Sequence, residues 1–244
     1  MEKALSYPIS AIYCIAFFLL LVIFHPIQWI CFNLFGYQAH KKSVDILNGA
    51  LIRCAHILGS TYKVNNIDRI PEGVPLIIVS NHQSMNDIPP IVWFMRKFHP
   101  KFISKKELGK GIPSVSYNLR HGGSALIDRK DAKQALPAIK ELAQYIEKNK
   151  RSAVIFPEGT RSKTGKPKQF SENGLKILCK YAPSAYIVPL SINNSWKLFK
   201  FGKYPLGLGN KLTFTVQEPF AIKNIPFAEV MERTEREVKQ GIEK

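Results

Sequence analysis

A chain of 244 residues is long enough for one sizeable core, or a core with an appendage, and too short for two full-sized domains. Its formal net charge of +17 directs it toward something anionic: a membrane surface, an anionic substrate, an acidic carrier protein or nucleic acid. Its cysteines, at 14, 31, 54 and 179, form no C-x-x-C pair and its histidines no H-x-x-x-H pair, so neither a disulfide framework nor a zinc site is indicated and no metal is expected.

No Asp, Glu, Lys or Arg lies between Ala4 and His40, and the positive excess belongs entirely to the part after His40. The cleanest apolar stretch, Ile9 to Phe24, is short of the roughly 20 residues that cross a bilayer. Pro26 interrupts it, and an aromatic-rich stretch, Ile27 to Phe35, follows. A cleaved leader would need small residues after the apolar run, but Gln28, Trp29, Ile30, Cys31 and Phe32 stand there, so the segment is read as a retained anchor. Apolar residues at helical intervals from Val44 to Leu58 make a second helix. Residues 1–59 thus form an N-terminal hydrophobic helical anchor. Two helices embedded in one face of the membrane fit Trp29, Tyr37 and the amphipathic stretch after Lys42 better than one spanning helix. If the segment does span, Lys41 and Lys42, closing it, put the rest of the chain in the cytoplasm; either way the expected location is the cytoplasmic face of the inner (plasma) membrane.

From residue 60 to 244 short β-like runs alternate with helical patterns. The expected strands are Leu76 to Ser80, Lys101 to Ser104, Ser124 to Asp128, Ser152 to Phe156, Tyr186 to Ile192 and Lys211 to Gln217. Helices are expected over Ala135 to Ile146, with Pro137 marking a first turn, over Glu172 to Tyr181, and over Ala228 to Ile242. Several strands are continuous apolar runs, as strands covered on both faces require. The fold class is therefore α/β: a mixed, largely parallel sheet flanked by helices, carrying the N-terminal anchor.

Three constellations carry chemistry. Asn81-His82-Gln83-Ser84-Met85-Asn86-Asp87 follows the first strand and precedes a helix that Pro89 and Pro90 would open. A histidine with a carboxylate partner is the arrangement of a general base, although a surface histidine held by a neighbour has the same composition. Spacing alone does not decide, because His40 and Asp45 stand in the same H-x-x-x-x-D relation. Phe156-Pro157-Glu158-Gly159-Thr160-Arg161-Ser162 again follows an apolar strand; its Gly, hydroxyls and Arg suit a phosphate, and equally a polar turn. Gly123 to Arg129 ends a strand-like run on Asp128 and Arg129, a second phosphate ligand or a surface pair.

In this order these segments resemble the 1-acylglycerol-3-phosphate acyltransferase family of bacterial type, whose four blocks appear as N-H-Q-S-M-N-D, K-K-E-L with G-G-S-A-L-I-D-R, F-P-E-G-T-R-S and I-V-P-L across residues 76 to 192. The resemblance implies a membrane O-acyltransferase of phospholipid biosynthesis. It would transfer a fatty acyl chain from acyl-ACP or acyl-CoA, a co-substrate and not a cofactor, to the sn-2 hydroxyl of 1-acylglycerol 3-phosphate (lysophosphatidic acid). The product would be phosphatidic acid. His82 would be the base and Asp87 its orienting partner. Arg129, Glu158, Gly159, Thr160 and Arg161 would bind the substrate phosphate, and Pro189 would shape the cleft.

Two departures stand out: Pro113 is followed by Ser116 where the family has Gly, and Glu172 stands where the family more often has a basic residue. Another lysophospholipid or a lyso-aminolipid as acceptor is the alternative reading. A basic membrane-binding protein without catalysis is a third, and nucleic acid is not expected, since no recognition module or interleaved basic-aromatic face is found.

Overall fold

The computed structural model describes residues 2–243, so the outermost ends of the two ranges above, Met1 and Lys244, lie outside it. The chain opens with one long helix, α1 (Glu2–Cys54), holding an 18-residue window of mean hydropathy 2.4. The expected interruption at Pro26 does not occur. The helix runs through it, because a proline costs one backbone hydrogen bond whereas breaking an apolar helix strands several backbone groups without water to bond them. The break comes at Gly36 instead (φ 75°, ψ −166°), in a region that only glycine occupies readily. Two helical segments therefore exist, with the joint ten residues later than the sequence reading placed it.

The first segment is turned inside out relative to a helix of a water-soluble protein. Ser6, Ser10 and Gln28 are buried, while Ile12, Ile15, Phe18, Leu19, Ile23, Leu34 and Phe35 are exposed. Ser10 Oγ accepts the Leu206 N–H at 2.8 Å, and Tyr204 donates to the Tyr7 carbonyl at 2.6 Å, so the polar stripe is used against the protein. A contiguous apolar face of this size marks an interaction surface.

Eight strands form one sheet: β1 (Thr61–Asn65), β2 (Leu76–Ser80), β3 (Pro100–Lys105), β4 (Ala125–Ile127), β5 (Ser152–Ile155), β6 (Tyr186–Asn193), β7 (Lys211–Val216) and β8 (Phe220–Ala221). Their order is β1-β7-β6-β2-β5-β3-β4, with β8 also paired to β6. From β6 to β4 every pairing is parallel; β7 and β8 run antiparallel to β6, and β1 is parallel to β7. The mixed, largely parallel sheet is the expected architecture. β1 and β8 were not anticipated, since β1 is a half-exposed edge strand of mixed composition and β8 is only two residues long.

The remaining helices are α2 (Ile88–Phe94), α3 (Val115–His121), α4 (Ala132–Asn149), α5 (Glu172–Tyr181) and α6 (Phe227–Gln240). Period-two alternation divides each central strand between two cores. Leu76, Ile78, Val154, Val188 and Leu190 pack with Tyr13, Val44 and Cys54 of α1, Ile91 of α2 and Met95 just after it. Ile77, Val79, Ala153, Ile155 and Ile187 pack with α4, α5 and α6. α4 begins before the expected Ala135, because Asp131 caps it by accepting the Gln134 N–H, and Pro137 consequently lies inside the helix and not in its first turn.

Candidate active site

β2, β5 and β6 are adjacent and parallel, so the loops leaving their carboxyl ends converge. The loop after β2 carries His82. Pro89 and Pro90 open α2 as expected, and just ahead of it Met85–Asp87 make a 3₁₀ turn capped by Ser84, whose Oγ accepts the Asn86 N–H at 3.0 Å. This turn folds Asp87 back on His82. His82 Nδ1 donates to Asp87 Oδ2 at 2.8 Å, and the same oxygen accepts the backbone N–H groups of Gln83 (2.7 Å) and Ser84 (3.0 Å). Asp87 is fully buried, and this ring of donors fixes its orientation. A carboxylate only accepts, so Nδ1 carries the proton and Nε2 is the basic nitrogen.

The other H-x-x-x-x-D pair comes apart. His40 and Asp45 lie on the continuous helix after Gly36, where five residues mean about 140° of rotation. Asp45 pairs with Lys41 instead.

The loop after β5 holds His82 on three further sides. Glu158 Oε1 accepts the His82 backbone N–H at 2.8 Å, the Ser162 N–H donates to the His82 carbonyl at 2.7 Å, and the Phe156 ring stacks on the imidazole with centroids 4.1 Å apart. Glu158 Oε2 accepts the Lys168 N–H at 2.9 Å. Burial raises the Glu158 pKa, against the opposing effect of these Lys168 and His82 bonds. The Glu158 carboxylate is thus engaged with two loops; a phosphate, itself anionic, would find acceptors there where it needs donors. Gly159 turns the loop at φ +70°, and Thr160 and Arg161 are exposed beyond it. Lys168 Nζ donates to Thr160 Oγ1 at 2.6 Å, which adds a cation to this group.

The loop after β6 completes the frame. Asn81 pairs with the Ile192 backbone through both amide atoms (2.8 and 2.7 Å). Gln83 donates to the Ile192 carbonyl at 2.8 Å and accepts the Ser195 N–H at 2.9 Å, and Ser84 and Ser195 share a hydroxyl hydrogen bond of 2.5 Å. From the other side Tyr13 of α1 donates to Asn86 Oδ1 at 3.2 Å, joining the apolar helix to the His82 loop. Pro189 is buried in β6, at the point where pairing passes from β8 to β7, so its missing N–H breaks no ladder bond on that side. It acts on the strand rather than as an exposed wall. Arg129, exposed after β4, stands at the same end of the sheet but three strands from β2, roughly 14 Å at normal strand spacing.

His82 and Asp87 are therefore in contact, Glu158 holds the His82 backbone, and Arg161 and Arg129 are exposed at the same end of the sheet. The roles of Gln83, Ser195, Lys168 and Tyr13 were not read from the sequence. Gln83 lies within the first motif, and Lys168 is one of a cluster of lysines after the third; for Tyr13, a single tyrosine in an apolar helix, no local signal exists.

The profile of a family described as Acyltransferase matches residues 61–193. The chain belongs to the acyltransferase family. Among relatives of this acyltransferase-family chain, the 1-acyl-sn-glycerol-3-phosphate acyltransferase of Helicobacter pylori is 38% identical over 126 residues, 50% of each chain. The chloroplastic LPAT1 of Arabidopsis thaliana, with the same enzyme name, is 29% identical over 58% of this chain and 39% of its own length. The matches thus span about half, or less, of these relatives. The crystal structure of the 1-acyl-sn-glycerophosphate (LPA) acyltransferase PlsC from Thermotoga maritima superposes with a TM-score of 0.83 at 26% identity, covering 99% of this chain and 96% of that one. The family-matched region holds His82, Asp87 and the loop after β5 that grips His82, while Ser195 lies just beyond it.

Proposed function

We propose that the protein transfers a fatty acyl chain from an acyl thioester to the sn-2 hydroxyl of 1-acylglycerol 3-phosphate, giving phosphatidic acid. The observation that carries this reading is the 2.8 Å bond from His82 Nδ1 to the buried Asp87, within a chain whose relatives bear that enzyme name.

Nε2 takes the proton as the acceptor hydroxyl oxygen attacks the thioester carbonyl carbon; the carbon–sulfur bond then breaks and the proton passes from Nε2 to the departing sulfur. Asp87 stabilises the imidazolium in between, and the stacked Phe156 ring adds a face to the cation. The attack needs no acyl-enzyme, consistent with Ser84 being engaged with Ser195 and Asn86. Arg161 and Lys168, with Arg129 from the rim, supply cationic donors for the acceptor phosphate, Gly159 and Thr160 shape their loop, and Glu158 positions His82 from behind. The exposed apolar face of α1 rests in the membrane, on its cytoplasmic side by the charge of Lys41 and Lys42, and delivers a lipid acceptor from the same leaflet. Acyl-ACP or acyl-CoA serves as donor, drawn to the basic body.

Each sequence departure has a local structural role. Ser116 donates to the Leu108 carbonyl (2.9 Å) and accepts the Ile112 N–H (3.0 Å), and so serves its own turn. Glu172 stands in the first turn of α5, where the helix dipole favours an acid. The test is acyl transfer by the purified full-length protein to lysophosphatidic acid, lysophosphatidylcholine and monoacylglycerol in parallel. Preference for lysophosphatidic acid is expected; equal use of monoacylglycerol would refute a phosphate-recognising site.

A further inference from the structure

At the opposite end of the sheet from His82, a recess opens between α1 just after Gly36 and the amino-terminal end of β3, lined by His40, Lys41, Asp45, His99 and Lys101. Lys101 pairs in register with Ala153, which is level with Ile77, so the strand segment Ile77 to Ser80, roughly 10 Å, lies between its level and the His82 loop. β3 is also two strands removed from β2. The recess is separate from the catalytic cleft.

Its charges do not balance. Lys101 is only 6% exposed, and among the described residues its Nζ donates no hydrogen bond; its ammonium lies 4.8 Å from the centre of the Tyr37 ring. The Arg151 guanidinium stacks on the same ring at 4.3 Å. The one carboxylate, Asp45, is taken by Lys41, whose Nζ also donates to the Arg96 carbonyl. His40 is 1% exposed, and its Nε2 is buried without a partner. His99 is held by Tyr37 at 2.9 Å. Burial and the neighbouring Arg151 and Lys41 push the Lys101 pKa down to about 7, against the weaker pull of Asp45. Burial together with nearby cations likewise brings His40 and His99 to about 4, so both are neutral near pH 7 and Nε2 of His40 is available to donate.

A buried cation lacking a partner, beside an unpartnered buried imidazole nitrogen, is expensive unless an anion completes it. We propose that this recess binds a phosphate-type oxyanion, as a lipid headgroup or as free phosphate, at a second site distinct from the catalytic one. Lys101 supplies the charge and His40 a neutral donor, both from the lining, while the Arg151 guanidinium, bonded to Tyr145 and stacked on the Tyr37 ring outside that lining, adds positive potential. The position favours such a ligand, because the recess lies beside the Gly36 corner where the exposed apolar face of α1 ends at Phe35.

The test does not depend on the acyl-transfer reading. Full-length Arg129→Ala/Arg161→Ala/Lys168→Ala protein in detergent, with the cations of the catalytic cleft removed, is titrated calorimetrically with inorganic phosphate and separately with dihexanoylphosphatidylglycerol. Dihexanoylphosphatidylcholine is the zwitterionic control. Saturable binding of one equivalent is expected, weakened at least tenfold by Lys101→Met. Binding of phosphate points to the free ion as the source, and binding of phosphatidylglycerol alone to a headgroup. Binding of neither, or binding that Lys101→Met leaves unchanged, overturns the proposal. Should Lys101→Met fail to fold, His40→Phe, which removes the donor nitrogen from the lining, gives the same reading: tenfold weakening supports the site and unchanged affinity refutes it.

Discussion

Glu158 grips His82 by its backbone: Oε1 accepts the His82 N–H at 2.8 Å while Oε2 accepts the Lys168 N–H at 2.9 Å, so one buried carboxylate sets the separation of the two motif loops. A glutamine keeps one acceptor and turns a donor toward the other N–H. Glu158→Gln is therefore expected to lower stability by about 1–3 kcal/mol. It should also lower kcat with little change in the KM for lysophosphatidic acid, since the base moves and the phosphate contacts stay. Steady-state kinetics with thermal unfolding check this; a raised KM at constant kcat would place Glu158 at the phosphate instead.

Arg161 is the converse case. Its side chain is exposed on the same loop and, among the described residues, forms no ion pair. A charge-assisted contact to the acceptor phosphate is worth about 1.5–3 kcal/mol, so Arg161→Ala should raise the KM for lysophosphatidic acid by roughly tenfold or more while leaving melting unchanged. An unaltered KM would remove Arg161 from the acceptor site.

The corner in α1 depends on Gly36, whose φ of 75° and ψ of −166° admit no side chain without strain, though space is open around it. Gly36→Ala is expected to cost about 1–3 kcal/mol, measured by denaturation in detergent. Unchanged stability would mean that the corner straightens at no cost.

Lys101 gives the fold a pH dependence of definite sign. Its pKa falls from the ordinary 10.5 to about 7 on folding, so between these values the unfolded chain binds the extra proton and stability rises with pH. Below pH 7 the penalty is full. Relative to Lys101→Met, wild-type protein in phosphate-free buffer should gain on the order of 3 kcal/mol from pH 7 toward pH 10. Lys41, Asp45, His40 and His99 line the same recess and Arg151 lies close by on the Tyr37 ring; of these the histidines titrate below the window, and burial raises the Asp45 pKa against the pull of Lys41. Parallel denaturation of the two proteins across this range checks the slope; parallel lines would contradict a Lys101 pKa lowered by burial.

The parts of the molecule legible in the sequence are those where one local signal and the tertiary structure agree. Leu76 to Ser80 is apolar throughout because both faces are covered, and Glu172 to Tyr181 has an unbroken helical stripe, so both boundaries coincide with the observed elements. The joint in α1 was misplaced because Pro26 is the stronger breaker in water, yet Gly36 is where the backbone can turn. His82 and Asp87 could be paired from their motif, whereas His40 and Asp45, at the same spacing, lie on one continuous helix where Asp45 pairs with Lys41 instead, which the spacing does not reveal. Glu158 was assigned to the phosphate by its motif neighbours; that its carboxylate faces the His82 backbone is a tertiary fact with no trace in the order of residues. The same holds for Tyr13 and Asn86, 73 positions apart.

The central claim is that Nε2 of His82, oriented by Asp87, removes the acceptor proton. Its most direct measurement is the rate of phosphatidic acid formation from acyl-ACP or acyl-CoA and lysophosphatidic acid by full-length protein in mixed micelles, comparing wild type with His82→Ala and Asp87→Asn. Loss of about 10²- to 10⁴-fold in kcat is predicted for His82→Ala, with a comparable loss for Asp87→Asn because the amide imposes the wrong tautomer. A wild-type rate retained by folded His82→Ala would contradict the account.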